Sequence, residues 1–266
     1  MMRMVTLFGP PLVTLGVVIF AWWAVVQGLH MEAYLLPGPG AVVWAMFDGF
    51  ADGSFWPHIA ATLEASIIGF ILGSAIALVL GVLLAESLTF ERFLMPLIVA
   101  LQAMPKVALA PLILVWCGFG LESKVVLIVL ICFFPLFVNV VVGIRSADAD
   151  LIDLCRASCA SRWYIFRNVK LPSAAGSIFA GLQIGASLAL IGAVVGEFVS
   201  AQRGLGYLIA SSTVNMSVAT MFAAAILLAL IGVAATAAVR WVHVRVVFWE
   251  AQGNRWGARG DERPAP

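Results

Sequence analysis

The 266-residue chain is 63% hydrophobic and only 11% charged, with a formal net charge of +1. Soluble globular domains carry about 25% charged residues, so this composition excludes a water-soluble surface. Apolar runs of roughly 20 residues are long enough to cross a bilayer, and the chain contains several. Its four cysteines show no C-x-x-C spacing, which argues against a disulfide framework. We therefore expect an all-α, multi-pass membrane protein.

Apolar windows predict six transmembrane helices, because backbone groups in lipid must find their hydrogen bonds within the segment itself. The predicted spans lie near residues 9–28, 60–85, 93–117, 125–144, 174–199 and 219–247. Between the first two spans, the Leu-Pro-Gly-Pro-Gly run at 36–40 predicts a turn, since two prolines and two glycines oppose a continuous helix.

The basic residues fall unevenly on the two sides of these spans. Only Lys124 and Arg203 lie on one side, and Lys106 lies inside a span. Most others fall on the opposite side, including those of residues 145–172 and both termini. Because Lys and Arg are retained in the cytoplasm, we expect both termini and the 145–172 loop to be cytoplasmic. Residues 251–266 are rich in Gly, Arg and Pro and predict a disordered cytoplasmic tail after a single transmembrane domain, 1–250.

Two spans carry a small residue at every fourth position, which favours close helix packing. A passage lined by exposed backbone is the alternative interpretation. The two stripes are Gly69, Gly73, Ala77, Gly81, Ala85 and Ser177, Gly181, Gly185, Ala189, Ala193.

The segment from 148 to 172 is too polar to span the membrane and too regular to be a linker. Leu151, Leu154 and Cys155 recur at helical spacing, and Asp148 or Asp150 can cap the start of a helix. The pattern indicates a short amphipathic helix at the cytoplasmic surface. It leaves open whether the helix lies on lipid or fits a groove on a soluble partner.

The same segment resembles the signature loop of the binding-protein-dependent ABC importer permeases, which reads E-A-A-x3-G-x9-I-x-L-P. Asp153-Leu154-Cys155, Cys159, Val169 and Leu171-Pro172 keep that spacing. The residues differ at three places: Asp153 for Glu, Leu154 and Cys155 for the two alanines, and Cys159 for the glycine. Further similarity to the nitrate, sulfonate and taurine class covers roughly residues 35–235. It includes Pro111-Leu-Ile-Leu-Val-Trp116, Gly192-Ala-Val-Val-Gly-Glu-Phe198 and Gly204-Leu-Gly206.

The resemblance implies a type I ABC importer permease fold and a coupling helix near 150–160 that docks on a separate ATPase. The residues it assigns to coupling are Asp153, Leu154, Cys155, Arg156, Ala157, Cys159, Ala160, Ser161, Val169, Leu171 and Pro172. Implied partners are ABC ATPase subunits, an extracytoplasmic solute-binding protein, a second permease copy and membrane lipid, with no nucleic acid. The implied location is the bacterial inner membrane.

No phosphate-binding G-x-x-x-x-G-K-[ST] loop occurs in the sequence. We therefore expect no cofactor on this chain, with ATP and Mg bound and hydrolysed on the partner ATPase. The permease itself is expected to be a transport subunit and not an enzyme.

Polar groups inside the spans are the candidates for a translocation path, because a charge in hydrocarbon costs about 2.5–3.5 kcal/mol. Lys106 follows Pro105 and precedes Pro111, so the third span is predicted to break there. An anionic solute can pair with Lys106; alternatively, the lysine reaches the interface or pairs with Glu64 or Glu197. The full candidate set is Met104, Lys106, Asn139, Gln183 and Glu197.

Two other functions compete with the importer hypothesis. An ion-coupled secondary transporter usually has clustered intramembrane acids, of which this chain has few. A membrane-embedded enzyme needs acid, base or metal-binding clusters, whereas His30, His58 and His243 are scattered. For the transported solute, the resemblance leaves open a nitrate-, sulfonate- or taurine-like anion and a thiamine-precursor-like pyrimidine.

Overall fold

A computed structural model describes residues 2–32, 34–200 and 202–249, and within these ranges the chain forms helices and no strand. The α-helices are α1 (Met2–Gly28), α2 (Pro39–Ala51), α3 (Phe55–Glu86), α4 (Leu88–Ala103), α5 (Ala110–Cys117), α6 (Leu121–Arg145), α7 (Ala149–Ala157), α8 (Arg162–Ile165), α9 (Leu171–Ser200), α10 (Leu205–Val214) and α11 (Val218–Val246). A 3₁₀ turn, Lys106–Leu109, precedes α5, and a π-helical turn, Phe166–Lys170, joins α8 to α9. The predicted all-α class is confirmed.

Four helical segments of the described residues are long and apolar enough to cross a membrane: α3, α6, α11 and the continuous stretch Arg162–Val199. A fifth span is formed if α4 and the segment Lys106–Cys117, which meet at an 86° bend, are counted together. The first predicted span, 9–28, lies within α1. The side chains up to position 12 are outside the described part of the chain, and the rest of the helix, Val13–Gly28, is apolar. The described residues thus support four or five full spans where six were predicted.

The chain divides into two compact units. One comprises the described residues up to Thr62 and from 202 to Ala229; the other comprises Leu63–Ser200 and the described residues from Leu230 onward. The prediction that 1–250 form one transmembrane domain stays a prediction. The predicted tail, 251–266, lies outside the described residues.

The core of the larger unit is built around α6, which packs against both α3 and α9. Phe137 and Val140 of α6 are almost completely buried, together with Ala77 of α3 and Ala174 of α9. A second cluster joins Ile128 and Cys132 of α6 to neighbours on the same two helices. The central position of α6 explains why its sequence is apolar on nearly every face.

The small-residue stripes face α6 from both sides. A Cβ atom added at Gly73 would lie 2.6 Å from the Cys132 sulfur, and one added at Gly181 would lie 2.8 Å from Cβ of Asn139. Gly69 and Gly81 meet α6 equally closely. Close helix packing is therefore the observed role of these glycines.

In the smaller unit, α2 begins at Pro39, so the predicted turn ends earlier than position 40. Proline is well suited to the first helical position because its missing N–H would have no helical partner there. The loop before α10 is tied to the start of α3. Thr62 Oγ1 accepts a 2.8 Å hydrogen bond from the Leu205 N–H, and a ring nitrogen of His58 lies 3.1 Å from the Gly204 N.

Candidate functional site

The segment after α6 forms the predicted short helix, α7. Its N-cap is Asp148, whose carboxylate accepts hydrogen bonds from the N–H groups of Asp150 at 2.9 Å and Leu151 at 3.4 Å. These bonds satisfy two of the amide groups that a helix start leaves without partners. The start of α7 is therefore determined locally, by the side chain of the residue just before its first helical position.

The end of α7 carries an unusual residue. Cys159 has φ +56°, in the left-handed region that glycine normally occupies. Its N–H donates to the Arg156 carbonyl and the Ala160 N–H donates to the Cys155 carbonyl, both at 2.9 Å, which is the Schellman pattern of helix termination. The position where the family signature has glycine therefore has the glycine conformation, adopted here by a cysteine.

The exposed side of α7 is partly apolar. Leu154 is 63% exposed and Leu151 is 44% exposed, whereas no residue of α7 is buried. Arg156 pairs with Asp153 at 3.0 Å along the same helix. A capped helix with two exposed leucines is suited to binding a partner groove.

The other predicted coupling residues have different environments. Ala157 is exposed, Ala160 is half-buried, and Ser161 accepts a 3.2 Å hydrogen bond from the Tyr164 N–H at the start of α8. Val169 is buried, so it contributes to packing and offers no surface to a partner. Leu171 is exposed and Pro172 is half-buried at the start of α9.

The third predicted span is broken where the prolines predicted. Met104, which precedes Pro105, has extended backbone at φ −72°, ψ 136°, because a proline disfavours the α conformation of the residue before it. Pro111 lies in the first turn of α5, where its missing N–H is tolerated. The 86° bend between these helices leaves room beside α6 and α9.

An open cavity of about 570 Å³ lies at this break. Its walls come from the end of α4, the 3₁₀ turn, α6 and α9, and are mostly apolar, with three polar side chains. The lining residues are Gln102, Met104, Pro105, Lys106, Val107, Ile131, Phe134, Pro135, Val138, Asn139, Leu188 and Ile191. The volume and the mixture of lining groups are those of a small-molecule site.

Lys106 is the charged side chain among the described residues that line this cavity. Its ammonium group lies 4.6 Å from the ring centre of Phe134 and donates a 3.3 Å hydrogen bond to the Gln102 carbonyl. Within the described part of the chain it forms no ion pair, so the alternative pairings with Glu64 and Glu197 are not observed. The charge is therefore held at the cavity wall by a ring and a carbonyl.

Asn139 lines the cavity one helical turn after Pro135 in α6. The amide nitrogen of Asn139 donates to the Pro135 carbonyl at 2.8 Å, which fixes the orientation of its side chain.

Three of the five predicted path residues, Met104, Lys106 and Asn139, line one cavity. Gln183 does not line it, and Glu197 is 1% exposed within the helix packing. Sequence reasoning missed Gln102, Phe134 and Pro135. Only Pro135 gave a signal in the sequence, as a proline within an apolar span.

Comparison with known proteins identifies the family. Residues 73–248 match the model of the binding-protein-dependent transport system inner membrane component family. The chain belongs to this family. The importer hypothesis is therefore confirmed, in preference to the ion-coupled secondary transporter and to an enzyme. This permease is a multi-pass inner-membrane transport subunit.

Two relatives are similar to this chain over most of its length. The riboflavin transport system permease protein of Chloroflexus aurantiacus is 40% identical over 239 residues, covering 90% of this chain and 89% of that protein. The formylaminopyrimidine transport permease protein of Halalkalibacterium halodurans is 33% identical over 227 residues, covering 85% and 90%.

The fold is also found in a solved transporter. An inward-facing structure of the MetNI methionine ABC transporter matches with a TM-score of 0.54 and 23% identity, over 71% of this chain and 94% of that one. The type I permease fold implied by the sequence resemblance is thereby confirmed.

Proposed function

We propose that the permease carries its solute through the cavity at the α4–α5 break and is driven by an ATPase that docks on α7. The observation that supports the path is the broken span, which brings Lys106, Gln102 and Asn139 to one apolar cavity. Polar groups at membrane depth are otherwise costly, so their convergence favours a functional role.

Docking on α7 transmits the movement of the ATPase pair to the membrane helices. α7 is linked through α8 and the π-helical turn to α9, so a rigid displacement of α7 acts directly on a helix that lines the cavity. Such a displacement exchanges inward-open and outward-open states. ATP and Mg bind the ATPase, and this chain holds no cofactor.

The assembly follows from the same proposal. Two copies of the permease pair in the membrane, two ATPase subunits bind from the cytoplasm, and a solute-binding protein delivers the solute from outside. The basic residues of 145–172 and of the terminal segments support cytoplasmic termini.

For the solute, we favour a flat pyrimidine-type heterocycle. Two relatives are named for riboflavin and formylaminopyrimidine, both of which contain a pyrimidine ring. The amide groups of Gln102 and Asn139 provide donors and acceptors that match the edge of such a ring, between apolar walls. Lys106 favours a second candidate, a sulfonate-like anion, because its ammonium group is a strong partner for a negative charge.

The coupling role is tested by Leu154→Asp. This leucine is 63% exposed, so the change should leave the permease folded while placing a charge in the docking surface. Loss of a central interface residue weakens binding by at least about 30-fold, corresponding to about 2 kcal/mol. Val214→Asp, at an 82% exposed position in α10, is the matched control. Unchanged ATPase binding by the Leu154 variant in a pull-down would refute the assignment.

The solute is tested by uptake into proteoliposomes that contain the permease with the ATPase and receptor of its operon. Labelled riboflavin, a formylaminopyrimidine and taurine are supplied separately, with and without internal ATP. We expect ATP-dependent uptake of a heterocycle. Uptake of taurine alone would favour the anion candidate and contradict the heterocycle proposal.

A further inference from the structure

Two cavities adjoin where the end of α3 meets α8 and the π-helical turn, away from the residues of the proposed path. One, of about 410 Å³, is polar; the other, of about 320 Å³, is apolar. They share two lining residues, Glu86 and Arg162. A molecule with a polar end and an apolar body can therefore occupy both.

The polar cavity has an excess of positive charge. Arg156, Arg162 and Lys170 line it, with Glu86 as the carboxylate among the described lining residues. Lys170 pairs with Glu86 at 2.6 Å, and Arg156 pairs with Asp153 on the exposed surface of α7. The guanidinium of Arg162 presents several donors in a planar arrangement suited to phosphate oxygens.

The apolar cavity continues along the outer surface of α3. Val82 and Leu83 of α3 form one wall, and Trp163 and Phe166 form the other, with their rings stacked at 5.7 Å. Leu83 is 45% exposed and Trp163 is 66% exposed. An inorganic phosphate or an acidic peptide would use the polar cavity but would leave this wall uncovered.

Aromatic residues nearby indicate the level of the lipid headgroups. The indole N–H of Trp249 donates a 3.4 Å hydrogen bond to the carbonyl of Pro172. Pro172 is two residues along the chain from Lys170, which lines the polar cavity. Phe248 and Trp241, near the end of α11, are also exposed. Tryptophan is enriched where a membrane protein meets the headgroup layer.

We propose that an anionic phospholipid binds here, with its phosphate at Arg162 and an acyl chain along Val82 and Leu83. Because the polar cavity includes Arg156 of α7, this lipid braces the coupling helix against α3. The site would make coupling sensitive to the anionic lipid content of the membrane. This inference does not depend on the nature of the transported solute.

The test is native mass spectrometry of the full-length permease with added phosphatidylglycerol or phosphatidylethanolamine. We expect the wild type to retain phosphatidylglycerol preferentially. Arg162→Gln should weaken this retention by at least about fivefold, the contribution of one basic residue near an anionic lipid. Arg167→Gln is the matched control, because Arg167 is exposed in the same segment but lines neither cavity. Arg162→Lys should restore part of the binding.

Each other outcome overturns the proposal. Equal retention of phosphatidylglycerol and phosphatidylethanolamine by the wild type would by itself refute selective binding of an anionic lipid. Equal loss in both glutamine variants would indicate general charge attraction. Competition by glycerol phosphate as effective as by phosphatidylglycerol would indicate a free phosphate site. If Arg162→Gln keeps the lipid but loses the ATPase in a pull-down, the cations serve an acidic protein surface instead.

Discussion

Replacing Cys159 by glycine should stabilise the coupling helix. At φ +56°, a residue with a Cβ atom is strained by about 1–2 kcal/mol, and glycine removes that strain. Glycine also gives the unfolded segment more conformational freedom, which opposes the gain by about 0.5–1 kcal/mol. The strain term is the larger, so the net stabilisation is about 0.5–1 kcal/mol.

Hydrogen exchange measures this difference directly. Local opening of α7 should become about two to five times rarer in Cys159→Gly, and the amide groups of 152–160 should exchange more slowly by the same factor. Cys159→Val, which adds a β-branched side chain at the same backbone angle, should accelerate exchange. Amide groups in α11 serve as an internal reference. If the glycine variant exchanges as fast as the wild type, the left-handed conformation is not a source of strain.

Three further changes test other contacts. Gly181→Val should lower the thermal midpoint in detergent, because the added atoms meet Asn139 Cβ at 2.8 Å; Gly16→Val, with no atom within 4 Å, is the control. An unchanged midpoint would contradict the close packing. Lys106→Gln should reduce heterocycle uptake by less than about tenfold but anion uptake by more, since bonds to charged groups are the stronger. Equal effects on both solutes would show that the charge plays no part in selection. Thr62→Val should destabilise the loop before α10 by about 1–3 kcal/mol, seen as faster exchange of the Leu205 amide, because that buried N–H loses its acceptor. Unaltered exchange there would contradict the role of the hydroxyl.

The features that the sequence predicted well are those set by local chemistry. The start of α7 depends on Asp148 and the break in the third span on Pro105 and Pro111, and each acts within a few residues of the chain.

The features that the sequence did not predict depend on packing between distant segments. Phe134 of α6 reaches Lys106 only because α6 lies beside the broken span, and no pattern along the chain indicates that pairing. Helices α2 and α10, with 13 and 10 residues, are too short to appear as spans. Pro39 is assigned to the turn because the sequence alone does not distinguish a proline in a turn from a proline at the first position of a helix.

The most direct test of the central claim is purification of the tagged permease in mild detergent, with mass spectrometry of the proteins that co-purify, followed by uptake assays in liposomes. We predict that an ATPase subunit is present in equal amount and that solute uptake requires ATP. A permease that purifies alone and moves solute on an ion gradient without ATP would contradict the account.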